Sequence, residues 1–454
     1  MKKNERFVII GGNAAGMSAA SRIRRNLPEA EIIVFEESGD VSYGACGLPY
    51  YISNDIPESE RLIAISADDF RQKRNIDVRL HHRAVSFDPR KKTIELYSST
   101  ENNQEQISYD KLIIATGARS VKPPIDGIDL DNVFTLRTLQ DGIRIKDSLD
   151  AKNHKNAIIV GGGYIGLEMA EALHKHGLKV TVVEMLDRLM PNVDTDISAL
   201  VEEELHSKGC AVYKSNAVEE IMGGSAVERV RLSDGTVLPA DILVIAAGVK
   251  PNVEFALSGG VQLGGTGAIA VSSTMRTNVH NVFAAGDCAE AKNLVTGKND
   301  YIPLGTTANK QGRIAGDNAS GKASKFAGIV GTAAVKVFDL EIARTGICSA
   351  TAKKLYPSAQ SILIKSKSRA GYYPNPQKIT VKLIFRPEDG RLLGAQMAGG
   401  EGVAKRIDVL ATALHQRMSV QDIVELDLSY APPFAPVWDP ILVAANQATK
   451  LVRK

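Results

Sequence analysis

The sequence predicts an α/β protein: two nucleotide-binding units of one design, followed by a third α/β domain. Three observations carry this reading. A short β-branched run meets a glycine-rich turn at residues 7–16, and the arrangement recurs at residues 157–166. Behind each turn come a helical pattern and a second apolar run ending on an acid, Glu36 in the first unit and Glu184 in the second. The last part of the chain mixes apolar strands, over residues 380–385 and 392–395, with helices over 404–416 and 420–424.

Phe7-Val8-Ile9-Ile10 reads as a buried parallel strand. Gly11-Gly12-Asn13-Ala14-Ala15-Gly16 follows, then a helix from about residue 17 to 26 and a strand over 31–35. In the second unit Ala157-Ile158-Ile159-Val160 leads into Gly161-Gly162-Gly163-Tyr164-Ile165-Gly166, a helix to about residue 176 and a strand over 179–183. Twenty residues separate Gly16 from Glu36 and eighteen separate Gly166 from Glu184. That is the spacing of a Rossmann-like dinucleotide-binding domain. The first glycine permits the tight turn, and the last allows the helix to approach the strand. The helix N-terminus then offers amides and a positive dipole end to a pyrophosphate, and the terminal carboxylate accepts from ribose hydroxyls. One such turn also closes ordinary α/β units; two in full context argue for binding. Asn13 stands where the middle glycine belongs, so the first turn is expected to be less standard.

Leu112-Ile113-Ile114-Ala115-Thr116-Gly117 and Leu243-Val244-Ile245-Ala246-Ala247-Gly248 echo each other as strands ending in small residues, where a bulky side chain would block a ligand. Asn281-Val282-Phe283-Ala284-Ala285-Gly286-Asp287-Cys288 is a strand that delivers an aspartate into a turn. That carboxylate suits a polyol chain; the alternative is a helix cap.

Composition narrows the class. At 454 residues the chain is long enough for two or three domains. Apolar residues at 44% and charged residues at 24% exclude wholesale disorder. A net charge of +3, with scattered basic residues, gives no stripe for nucleic acid. No run approaches the ~18 apolar residues of a membrane-spanning helix. Gly11, Gly12 and Asn13 interrupt the N-terminal apolar stretch that otherwise imitates a secretory signal. A cytoplasmic protein with no membrane partner is expected. Four cysteines, Cys46, Cys210, Cys288 and Cys348, are too dispersed for a disulfide framework and form no zinc pattern, so no metal is expected.

Together these motifs resemble the pyridine nucleotide–disulfide oxidoreductases over essentially the whole chain. The resemblance implies FAD on Gly11, Ala15, Gly16, Glu36, Thr116, Gly117, Gly286 and Asp287. It implies NAD(P)H on Gly161, Gly163, Tyr164, Ile165, Gly166, Glu184 and Gly248, with Glu168 near nicotinamide and flavin. The Glu184 carboxylate repels a 2′-phosphate, so NADH is favoured over NADPH, although Arg188 close behind softens the preference.

Ser42-Tyr43-Gly44-Ala45-Cys46-Gly47-Leu48-Pro49-Tyr50-Tyr51 occupies the place where two-cysteine members carry Cys-x4-Cys. Five positions either side of Cys46 stand Val41 and Tyr51, so the second cysteine is absent. One cysteine facing a flavin can still cycle through a mixed disulfide or a sulfenate. The helix that follows is expected to lower the pKa of Cys46, whereas Cys210, Cys288 and Cys348 read as packing residues. This resembles the single-cysteine branch: coenzyme A-disulfide reductases, NAD(P)H sulfur, polysulfide or persulfide reductases, and NADH oxidases and peroxidases. Oxidase and peroxidase members carry a histidine in the first turn where this chain has Ala14, which tilts the reading toward sulfur substrates.

Gly371-Tyr372-Tyr373-Pro374 and Ser429-Tyr430-Ala431-Pro432-Pro433-Phe434 resemble segments that bring tyrosines to the partner subunit's cysteine in a homodimer. Tyr372 and Tyr430 would then stabilise a departing thiolate; otherwise they are interface aromatics. Coenzyme A as a bound ligand is expected on Ser18, Arg22, Ser42 and Asn309, with Trp438 also expected at the substrate, although a solvated helix face explains Arg22 and Arg25 equally. Trp438 replaces a lysine of some members and Ala45 an asparagine, while the ending Pro436-Val437-Trp438-Asp439-Pro440 resembles sulfur- and polysulfide-reducing members. No rhodanese-like segment follows Lys454, so sulfane sulfur is expected to arrive by diffusion.

The expected layout is an FAD domain over residues 1–150 and 250–325, an NAD(P)H domain over 151–249, and a dimerisation domain over 326–454. Polar linkers are expected over 147–156, 250–252 and 315–325. The function expected is FAD-dependent, NAD(P)H-driven reduction of a low-molecular-weight disulfide, persulfide or polysulfide through Cys46, with coenzyme A disulfide or coenzyme A persulfide favoured. The alternatives are an NADH oxidase passing electrons to O2 and a flavin-binding redox sensor with little turnover.

Overall fold

In the computed structural model, which describes residues 5–151 and 153–453, the two repeated units form two parallel sheets of five strands. Residues 1–4, Lys152 in the first expected linker and Lys454 lie outside the described residues. The first sheet runs Val282–Ala284, Lys111–Ile114, Arg6–Ile10, Glu31–Phe35, Asp77–Arg79. The second runs Val133–Thr135, Ile242–Ile245, Asn156–Val160, Lys179–Val183, Ala211–Tyr213. Each glycine-turn strand is central, and its apolar interior, residues 7–10 and 157–159, is buried because both faces of a parallel sheet are covered. Ile10 pairs with Phe35 and Ile114, and Val160 with Val183 and Ile245, so both turns leave the same end of equivalent sheets.

The turns show why glycine is needed at two of their positions. Gly11 and Gly161 have φ of +106° and +109°, a region that side chains disfavour. A Cβ on Gly16 would lie 1.9 Å from the carbonyl oxygen of Gly11, and one on Gly166 2.0 Å from that of Gly161. The middle position has no such requirement: Asn13 has φ −103° and Gly163 φ −83°, both ordinary. The first turn is therefore as regular as the second, contrary to the expectation for Asn13. The helices begin at once, over Ala14–Asn26 and Tyr164–Lys175, so the last turn residues already belong to them.

The third domain carries an antiparallel sheet in the order Ala333–Val337, Leu340–Gly346, Leu392–Gly399, Lys378–Phe385, Gln360–Lys367. Its central strand Leu392–Gly399 is buried at every residue. Helices Val403–His415 and Pro440–Thr449 cover one side, while Val335, Val337, Ile342 and Ala398 join the core of the second nucleotide domain.

The expected linkers are corrected in three places. Residues 147–151 finish the helix Leu139–Ala151, and residues 315–319 finish the helix Gly305–Ala319. Val249–Pro251 is a strand, paired antiparallel with Ala118–Ser120, so the outward and return crossings between the nucleotide domains run side by side. The chain leaves the first sheet there, and Val133–Thr135, inside the expected 1–150 segment, already belongs to the second. In each case polar composition marked a helix end or a solvent-facing strand.

Replacing Gly166 with Ala forces the helix off its strand. We expect Gly166→Ala to lose about 1–3 kcal/mol of stability by overpacking and to weaken NADH binding, read by thermal melting and by quenching of NADH fluorescence. Unchanged melting and binding would contradict the close-approach argument.

Candidate active site

Both glycine turns are braced by the acid that ends the next strand. Gly12 N donates to Glu36 Oε2 at 2.7 Å, and Ser38 N and Oγ donate to Oε1 at 2.9 and 2.8 Å. Gly162 N donates to Glu184 Oε2 at 2.8 Å, and Leu186 N to Oε1 at 2.9 Å. Each carboxylate thus sits at the mouth of a turn whose helix N-terminus lacks a side-chain cap. Exposed amides and a fixed anion beside them are what a pyrophosphate and its ribose require. A side chain at Gly163 would meet nothing within 4 Å, so that turn is open where a ligand must enter. At Gly286 a Cβ would lie 2.8 Å from Ala15 Cβ, so the aspartate-bearing turn closes directly on the first helix. The residues present therefore fit two dinucleotides.

Thr116, Gly117 and Gly248 meet at the crossing ribbon. Thr116 Oγ1 donates to Asn252 O at 2.7 Å, and Val121 N donates to Gly248 O at 2.9 Å. Asp287 caps no helix; its Oδ2 accepts from Arg137 Nη2 at 2.7 Å. Arg137 also donates from Nε to Ala118 O at 2.9 Å, which fixes it between the ribbon and the aspartate.

Cys46 lies on the short turn Ala45–Gly47, which runs into the helix Leu48–Ile52. It is exposed, while Cys210 and Cys288 are buried and Cys348 is half-buried. Two backbone bonds position its loop: Ser42 N donates to Gly12 O at 2.9 Å, and Ala64 N donates to Ser42 O at 2.8 Å. Ser42 is held at φ +52°, a conformation side chains avoid, at the point where the loop departs the glycine turn. The expected lowering of the thiol's pKa is not found. Crowding by the surrounding protein pushes it up, the carboxylates of Glu168 and Asp287 push the same way, and Arg137 opposes them. The following helix is only five residues long and carries Pro49 in its first turn, so it supplies too little positive potential to win.

Glu168, one turn into the helix Tyr164–Lys175, accepts from Tyr50 Oη at 3.2 Å. Burial lifts its carboxyl to about 7, with the Tyr50 bond pulling down and Glu171 pushing up.

Ser18, Arg22, Ser42 and Asn309 line one cleft of about 530 Å³, which reaches Gly44, two residues from Cys46. Arg25, Arg74 and Arg313 line it as well, giving four arginines in all. Ser18 Oγ donates to Asn309 Oδ1 at 2.7 Å, and Arg22 Nε donates to Asp317 at 2.6 Å, so Arg22 is partly neutralised. Trp438 does not line this cleft. It is exposed on the third domain, near the chain end that also exposes Tyr430, Phe434 and Val437. Tyr372 and Tyr430 are exposed too, with their hydroxyls 3.3 Å apart.

Sequence reasoning missed Arg137, Arg74 and Arg313, which stand in no motif and meet the site only through the fold. Tyr50 was within reach, since it lies in the cysteine motif itself. Among the described residues no helix is long and apolar enough to cross a membrane, and no group of three or more His, Cys, Asp or Glu side chains is placed to hold a metal ion.

Residues 5–312 match the family model for pyridine nucleotide-disulphide oxidoreductases, and residues 332–440 match that family's dimerisation domain. The chain belongs to the pyridine nucleotide-disulphide oxidoreductases. One relative in this family, from Pyrococcus furiosus, is described as an NAD(P)H sulfur oxidoreductase (CoA-dependent). It is 40% identical over 449 residues, which span 98% of this chain and 99% of the relative. An NADH oxidase from Methanocaldococcus jannaschii is 36% identical, across 98% of this chain and 99% of its own. Among solved structures of the family, an NAD-dependent persulfide reductase from A. fulgidus superposes with a TM-score of 0.95 at 41% identity. That match covers 98% of this chain and 83% of the other.

Brief alkylation of the folded protein is expected to label Cys46 first and to leave Cys210 and Cys288 unlabelled until unfolding. Peptide mass spectrometry reads this directly, and rapid labelling of Cys210 or Cys288 in the folded state would contradict the burial described.

Proposed function

We propose that the protein is an FAD-dependent NAD(P)H reductase of low-molecular-weight disulfides and persulfides, with coenzyme A-linked species as its first acceptors. The observation that carries this is one exposed thiol two residues beyond Gly44, which lines an arginine-rich cleft, on a loop tied to a dinucleotide turn. The names of relatives in sulfur and persulfide reduction support it.

Gly11, Ala15, Gly16, Glu36, Gly286 and Asp287 would hold FAD, which when bound relays an electron pair from the nicotinamide to the sulfur centre. The turn at Gly161–Gly166 and Glu184 would hold NAD(P)H. Glu184 keeps both oxygens on backbone amides and so stays fixed in place at the ribose end, which favours NADH. Arg188 is engaged by Asp187 at 3.3 Å.

The cleft arginines would attract the phosphates of a nucleotide-linked substrate, whose sulfur end then reaches Cys46. As thiolate, Cys46 attacks one sulfur of the disulfide. A bond forms between Cys46 Sγ and that sulfur, the substrate S–S bond breaks, and the other half departs as a thiolate that takes a proton. Two electrons from NAD(P)H then cleave the mixed disulfide, release the second thiol after protonation, and restore Cys46. The sum is NAD(P)H, one proton and a disulfide giving NAD(P)⁺ and two thiols.

The exposed aromatic surface of the third domain, Tyr372, Tyr430, Phe434, Val437 and Trp438, suits a second copy of the chain. In such a homodimer the paired hydroxyls of Tyr372 and Tyr430 would stand near the other subunit's thiol and donate to the departing thiolate. An NADH oxidase is the second reading, favoured by the Methanocaldococcus jannaschii relative.

A steady-state panel with coenzyme A disulfide, its persulfide, polysulfide, glutathione disulfide, peroxide and O2 tests this. Cys46→Ser is expected to cut disulfide turnover by more than about 100-fold while NADH still bleaches the flavin. Arg25→Ala is expected to raise KM for the coenzyme A-linked acceptors and leave polysulfide unaffected. Undiminished disulfide reduction in Cys46→Ser, or O2 outpacing every sulfur acceptor, would overturn the reading.

A further inference from the structure

We propose that Tyr50 and Glu168 form a positioning pair that sets the ionisation of the Cys46 thiol through the charge on Glu168. This rests on the reading of Cys46 as the working thiol. Cys46 and Tyr50 are four residues apart on one continuous turn-and-helix segment, Ala45–Gly47 continuing into Leu48–Ile52. Tyr50 Oη then donates to Glu168 Oε1 at 3.2 Å, which links the cysteine segment to the first helix of the second nucleotide domain. The cysteine segment and the second nucleotide domain are therefore joined at one carboxyl group.

The charged neighbours of Glu168 show why its charge is changeable. They come from three elements: Glu171 and Lys175 on its own helix, Asp55 beyond the cysteine helix, and Lys336 from the third domain. Both lysines are engaged elsewhere. Lys336 Nζ lies 2.6 Å and Lys175 Nζ 3.0 Å from Glu171 Oε1, Phe338 N donates to Glu171 Oε2 at 2.9 Å, and Lys175 also pairs with Asp55 at 2.7 Å. Glu171 is thereby buried with both carboxylate oxygens bonded. Glu168 is left with a neutral donor, Tyr50, and no lysine of this cluster bonded to it.

The direction of the effect follows. Burial and the Glu171 charge keep Glu168 protonated up to about 7, so its charge appears within the neutral range. Once it is an anion it disfavours a second negative charge on Cys46. With Glu168 neutral, the thiolate forms more readily. As pH rises through about 7 the carboxylate forms and holds the thiol back. Tyr50 acts on the thiol through Glu168: its hydrogen bond favours the carboxylate, so removing the hydroxyl keeps Glu168 neutral to higher pH.

The test is the pH profile of Cys46 alkylation by iodoacetamide, an uncharged reagent, in the reduced FAD-loaded enzyme, with kcat and KM measured alongside. Labelling is read at Cys46 by peptide mass spectrometry from about pH 5 to about pH 10. Glu168→Gln is expected to move the profile to lower pH and to speed labelling at neutral pH by about 3- to 10-fold. Tyr50→Phe is expected to move it the same way by a smaller factor. Profiles that superimpose on the unmodified enzyme in both variants, whatever happens to kcat, would overturn the proposal and leave the pair a purely structural role. A Cys46 that stays unlabelled at about pH 10 would instead overturn the reading of Cys46 as the working thiol, and the pair's role with it.

Discussion

The approach of each first helix to its strand, close enough that a Cβ at Gly16 or Gly166 would run into the preceding turn, is the constraint on which the site depends. It brings helix amides to the end of a buried parallel sheet, where the acids Glu36 and Glu184 hold the turn from the far side. From the first of these turns the geometry propagates outward. Gly12 receives the amide of Ser42, Ser42 receives the amide of Ala64, and the loop between them carries Cys46. The thiol is thus referenced to the dinucleotide turn through backbone bonds, independent of any long side chain. Such bonds are short and directional, so they hold a reacting atom better than surface ion pairs do.

Around that thiol the electrostatics are divided. Glu168 and Asp287 oppose its ionisation and Arg137 favours it, while the neighbouring cleft is lined by four arginines. The arginines serve attraction: a field of one sign in a concave surface concentrates an anionic substrate and speeds its arrival. Burial serves restraint, and the carboxylates add to it, since both disfavour the thiolate. A thiol whose acidity lies near or above the ambient pH is also the more nucleophilic once ionised. The two halves of the site therefore do different work, one recognising the substrate and the other governing its attacker.

Much of this was legible in the residues because it is local. A strand, a glycine turn, a helix and an acid lie within about thirty residues, and each step is dictated by backbone sterics and hydrogen bonding. The gathering of Ser18, Arg22, Ser42 and Asn309 in one cleft came by resemblance rather than spacing, since Asn309 lies far along the chain. What could not be read was set by tertiary contact. Arg137 sits in no pattern and gains its place only when the crossing ribbon forms beside Asp287. The direction of the Cys46 shift depended first on crowding by the folded protein and then on carboxylates from two other segments, and a local rule about helix N-termini gave the wrong sign. The linkers misled because polar composition also describes helix ends, as residues 147–151 and 315–319 show.

The most direct test of the account is the mass of the FAD-loaded protein after exposure to coenzyme A disulfide in the absence of NADH. One coenzyme A per chain is expected, attached through a disulfide at Cys46 and released when NADH is added. An unmodified protein, an adduct at Cys348, or an adduct that NADH leaves in place would contradict it.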